Sequence, residues 1–173
     1  MKFLFLFSLT MSLTISPSFG LAGQNGNGGF VYKDHKRESK ALTIIAKGID
    51  ELARQVRKSS EDVFKNLNPK VDQKKFTEIV NDTVYPSNEA GFRTLDDGSK
   101  LILMMDYKEI EGAKYIMVYA PMIVALMYMA NEIEAKKFFQ VQLIHEVLHY
   151  FSYSEDQADV AAPLLYDELF GGS

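Results

Sequence analysis

"QLIHEVLHYFSYSEDQAD", residues 142–159, holds two of the chain's three histidines, His145 and His149. Spacing of four puts both on one face of a helix, with Cβ atoms about 5–6 Å apart. Imidazoles so placed can converge on one Zn2+ at about 2.0–2.1 Å each. Glu146 projects about 100° around the helix from His145. There it can flank the ion without ligating it, and take a proton from a water that the ion has acidified. Ile144, Val147, Leu148 and Phe151 follow an i, i+3, i+4, i+7 pattern and form an apolar stripe beside the histidine face. The bland alternative is a buried helix whose histidines are merely satisfied by hydrogen bonds. A chance match to H-E-x-x-H in a chain of this length is on the order of one in a few hundred, so the metal reading leads.

A catalytic zinc takes three protein ligands and keeps one open position. Cysteine is absent, and His35 lies far away in the charged run "YKDHKRESK" (32–40), where it reads as solvated. The third ligand is therefore expected from the carboxylates Glu155, Asp156 and Asp159. Ser154 and Gln157 fit a capping box, which starts a final helix at Glu155. Glu155 and Asp159 then share a face. One can bind the ion while the other holds the outer nitrogen of a zinc histidine. Asp156 points about 100° away and is an alternative ligand. Simple preference of acidic residues for a helix N-terminus also accounts for Glu155 and Asp156, and accounts less well for Asp159. Tyr153, in the connecting turn, is a candidate oxyanion donor. Tyr150 falls away from the histidines and reads as packing.

Outward from this stretch, Leu42, Ile45, Ile49, Leu52 and Val56 mark a helix over 39–58. Ser60 begins a short helix to about Leu67, and Asp72 caps a third through Phe76, Ile79 and Val80. "GFRTL", "KLILMMDY" and "KYIMVYA" then read as three strands joined by "DDGS" and "EIEG", an antiparallel meander. Pro121 stops the third strand and suits the first turn of a helix. Residues 115–130 carry no charge. That run is too short to span a bilayer and holds a central proline, so it reads as a buried strand followed by a buried helix. Pro163 should end or kink the final helix after about two turns. The whole is a small α+β single domain: N-terminal helices, a three-stranded antiparallel sheet, the histidine helix and a carboxylate-bearing helix. Whether the helices of 39–84 cover that unit like a propeptide or belong to it stays open.

Lys2, the apolar run 3–15 and the small residues of "SPSFGLAG" read as a signal peptide over 1–22. A flexible Gly/Asn-rich linker follows over 23–38, and the domain occupies 39–173. Export to the periplasm or the extracellular space is implied, with no stable membrane insertion after cleavage. A domain without disulfides must rely on its core or on a bound metal. The formal charge of −4 argues against nucleic acid as a partner. Nothing in the sequence signals an oligomeric state.

"HEVLH" followed by "EDQAD" resembles a zincin metallopeptidase, most like a minimal gluzincin. The resemblance covers about residues 92–170, and its specific part is 141–159. It implies His145, His149 and Glu155 as zinc ligands, Glu146 as general base, Asp159 as the partner of a zinc histidine, and a peptide or protein substrate. By the same analogy, one of the strands in 100–120 would bind an extended peptide. Five residues separate His149 from Glu155, fewer than is usual in gluzincins. That spacing is closer to the metzincin pattern HExxHxxGxxH/D, in which Ser152 stands at the glycine. Two other functions compete: a non-catalytic exported protein using these helices as a structural metal clip or for partner binding, and a metal-dependent hydrolase acting on something other than peptide. An open metal position facing a cleft favours catalysis, and a closed four-ligand site favours structure.

Overall fold

The computed structural model describes residues 35–171. The expected signal peptide (1–22) and linker residues 23–34 lie outside that range. The first helix, α1 (His35–Lys58), starts four residues before the expected domain boundary. Lys, Arg and Glu in its first turn are good helix formers, and their charge does not prevent a helix. α1 belongs to the core: Ala41, Leu52 and Val56 on it are fully buried. It packs against α3 (Gln73–Asp82), α4 (Ala120–Met129) and α5 (Glu132–His149). Gly48 allows the closest approach, since a Cβ there would lie 2.6 Å from the Phe139 ring. The N-terminal helices are thus part of the domain.

Local signals place most helix ends. The Asp72 side chain accepts from the Lys75 amide at 2.6 Å and starts α3. The short α2 (Asp62–Lys65) follows Ser60, whose hydroxyl accepts from the Asp62 amide. Asn131 caps α5 through the Glu134 amide, with Glu132 and Glu134 in the positive first turn. Ser154 and Gln157 complete the expected capping box at the start of α6 (Glu155–Phe170).

The architecture is α+β with a three-stranded sheet, but the strands differ from a simple meander. β4 (Met105–Ile110) and β5 (Ala113–Tyr119) form the expected antiparallel hairpin, turning at Glu111 and Gly112, both at positive φ. The third strand is β1 (Val84–Ser87), which pairs parallel to β5 in the order β1-β5-β4. Pro86 obscured it in the sequence; at a sheet edge its missing N–H can face away from the neighbouring strand. The run "KLILMMDY" breaks at Met104. Its first half, β3 (Lys100–Leu103), pairs only with β2 (Gly91–Thr94) in a separate hairpin. Met104 keeps a main-chain bond to Tyr119 at 2.9 Å, so the chain swings out of the sheet directly beside it. That hairpin rests on Tyr119 at Gly91, where a Cβ would come within 2.1 Å of the ring.

Pro121 occupies the first turn of α4, as expected. α4 is buried at Ala120, Ile123 and Val124 and exposed at Tyr128 and Met129. No helix among the described residues is long and apolar enough to cross a membrane. Pro163 does not end α6, which continues to Phe170. Pro163 is exposed, and so is Asp159, whose carbonyl loses its helical partner and can bind water instead. Meanwhile Ala158, Ala162, Leu165 and Leu169 bury one continuous stripe that runs past the proline. That burial across the break outweighs a defect of about 3 kcal/mol. α6 packs on α5, and six consecutive α5 residues, Leu143 to Leu148, are buried.

Candidate metal centre

α5 presents His145 and His149 on one face, and α6 folds back across them through the turn 150–154. Leu148 and Phe151 fix this arrangement from the core side: Leu148 is fully buried, and the Phe151 ring stacks on Phe76 at 6.4 Å. Ser152 takes the left-handed conformation, φ 65°, and the turn is closed by bonds from Ser152 N to His149 O and from Tyr153 N to Leu148 O.

The outer nitrogens are held first. His149 Nδ1 lies 2.9 Å from the main-chain oxygen of Tyr153. His145 Nδ1 lies 3.1 Å from Asp159 Oδ1. Both partners are acceptors, an arrangement that favours the tautomer with the proton on Nδ1 and a lone pair on Nε2. Those lone pairs converge: the two Nε2 atoms are 3.1 Å apart. Glu155 Oε2 joins them at 3.3 Å from His145 Nε2 and 3.8 Å from His149 Nε2.

Three acceptors facing one another at such distances repel. A proton can bridge two of them, whereas a cation satisfies all three. A tetrahedral ion with bonds of about 2.0–2.1 Å sets its ligands roughly 3.3–3.4 Å apart, close to the separations present. The group His145, His149 and Glu155 can therefore hold a metal ion. Asp159 stands behind His145, and Asp156 is exposed and outside the group. The histidines are 8 % and 19 % exposed at the side chain and Glu155 69 %, so the centre is walled on the α5 side and open on the α6 side.

Glu146 is buried beside the pair, at 9 % exposure. Burial pushes its carboxyl above the usual range, opposed by the neighbouring His145 and His149 rings and by the Gln142 amide. That amide lies 3.4 Å from Glu146 Oε1. Gln142 carries no motif of its own, although its place four residues before Glu146 puts it on the same helix face.

Tyr153 requires a correction. Its hydroxyl donates to the carbonyl of Pro69 at 2.7 Å, the residue is 5 % exposed, and burial raises its pKa. The phenol is committed to the core and is no oxyanion donor; what Tyr153 brings to the centre is its main-chain carbonyl. Tyr150 packs edge-on against Tyr107 of β4 at 5.1 Å, as expected of a packing residue. No protein-family model matches the chain, and neither does any curated protein or solved structure.

Proposed function

We propose that the protein is an exported zinc-dependent peptidase of the zincin type. The observation that carries this reading is the convergence of three ligand atoms, from His145, His149 and Glu155, with an acceptor behind each histidine at Nδ1. Two nitrogens and one carboxylate oxygen, arranged near tetrahedral spacing, suit zinc. When bound, the ion supplies a Lewis acid that acidifies water and polarises a carbonyl.

The protein's own residues do the rest. Asp159 and the Tyr153 carbonyl hold the imidazoles in register. Glu146 accepts the proton from the attacking water and delivers it to the departing amine. A buried carboxylate whose pKa is raised is costly to the fold, and such groups concentrate where acid–base work is done. Only three protein ligands converge among the described residues, and the Glu155 side is open to solvent. A structural site would close with four. β4, one of the two outer strands of the sheet, packs on α5 and leaves one edge for an extended peptide to pair with.

The test is Glu146→Gln, which keeps shape and removes the base. It should retain zinc and fold while losing hydrolysis of a broad peptide library by at least ~10²-fold. Fully zinc-loaded wild type that cleaves nothing in that library would favour a non-catalytic metal-binding or partner-binding role.

A further inference from the structure

We propose that Tyr153 is a positioning residue of the metal centre, through a tether to Pro69 that reaches the centre by way of His149. This rests on the metal-centre reading above. Of the two histidines, His145 is oriented by a side chain, Asp159, but His149 is oriented by a backbone atom, the Tyr153 carbonyl. A backbone atom can orient a ring only if its own peptide is held still. The turn that carries it has bonds of its own, from Ser152 N to His149 O, from Tyr153 N to Leu148 O and from Ser154 N to Gln157 Oε1, but it also holds a strained residue. Ser152 sits at φ 65°, a region that side-chain-bearing residues disfavour, and such conformations persist only when surrounding structure enforces them.

Beyond those bonds, two side-chain contacts tie the turn to the rest of the domain, and both come from the α2–α3 region. Phe151 stacks on Phe76, with rings 14° from parallel. The Tyr153 hydroxyl donates to Pro69 O across 84 positions of sequence. Tyr153 therefore binds the loop with its side chain and His149 with its main chain. The loop before α3 is tied to the tautomer of a metal ligand, although it contributes no ligand itself.

Tyr153→Phe deletes only the tether and keeps the ring in the core. Two readouts separate positioning from plain stability. In metal-free wild type at about pH 8, nitrogen-15 NMR of the imidazoles should show His149 with its proton on Nδ1, and Tyr153→Phe should mix the tautomers. In zinc titrations against a competing chelator, Tyr153→Phe should weaken affinity about tenfold, the low end for groups that orient a ligand. A core truncation away from the turn, Ile123→Val in α4, should lower the melting temperature and leave both readouts unchanged. The proposal is overturned if wild-type His149 carries its proton on Nε2, or if Tyr153→Phe keeps a single tautomer and a zinc affinity within twofold of wild type. Wild type that binds no zinc would defeat the peptidase reading instead, and the tautomer measurement would still decide the tether.

Discussion

Removing Asp159 probes how much a histidine's outer partner contributes when that partner is largely in water. Its Oδ1 is 3.1 Å from His145 Nδ1, yet the side chain is 72 % exposed. A hydrogen bond to a charged group contributes about 1.5–3 kcal/mol in favourable surroundings. Solvent screens this one, so its value belongs at or below the low end of that range. A loss near 1.4 kcal/mol is a factor of about ten, also the low end of the 10- to 100-fold range for such partners. Asp159→Ala should therefore weaken zinc binding about tenfold. Asp159→Asn keeps an acceptor oxygen, loses only the screened charge, and should cost less. Glu155→Ala removes a ligand and should exceed ~100-fold, and Asp156→Ala should leave affinity within about twofold. Competition against a chromophoric chelator, with metal-free melting curves as a control for folding, reads all four. If Asp159→Ala binds zinc as wild type does, or if Asp156→Ala is the more damaging change, the assignment of roles on α6 is wrong.

Three other outcomes follow from the same structure. Chelation should lower the melting temperature, because the ligands join α5 to α6; at a hundredfold excess over Kd, zinc should add about 2.7 kcal/mol, or roughly 5–10 °C for a domain of this size, by calorimetry. In metal-free protein the raised carboxyl of Glu146 disfavours its charged form in the fold, so stability is fullest below the unfolded carboxylate value and is lost as pH rises through the folded one. Glu146→Gln should flatten that loss and be the more stable chain at neutral pH without metal, by urea unfolding from about pH 4 to 8. Gly48→Ala should destabilise by about 1–3 kcal/mol, because the methyl meets the fully buried Phe139 ring at 2.6 Å and that strain outweighs the better helix propensity of alanine.

The helices and the heart of the centre were legible because their signals are local. Caps at Asp72 and Ser154, the stripe Ile144-Val147-Leu148-Phe151 and the spacings His145–His149 and Glu155–Asp159 all act within one or two turns. What escaped depends on distant partners. β1 is a strand because β5 receives it, and its own residues, with Pro86 among them, carry no strand period. The break at Met104 is hidden inside an unbroken apolar run, since either half would be equally content in a sheet. The helix does not stop at Pro163, and a helix-breaking rule cannot know how much stripe is buried on its far side. The carbonyl of Tyr153 has no residue signature at all, for every residue has one, and the hydroxyl that does have a signature is bonded to Pro69.

The three converging ligands sit only ten positions apart, from His145 to Glu155, whereas the Tyr153–Pro69 contact closes a span of 84. Loop-closure entropy makes the shorter loop cheaper by about 2 kcal/mol. During folding, a metal ion can therefore gather α5 and α6 before the α2–α3 loop arrives, provided the helices are transiently formed. On that route the ion is a nucleating agent, and it should speed refolding in stopped-flow experiments as well as slow unfolding. Part of its affinity is then spent on the incompletely folded chain, which would leave the melting-temperature gain smaller than the native Kd alone implies.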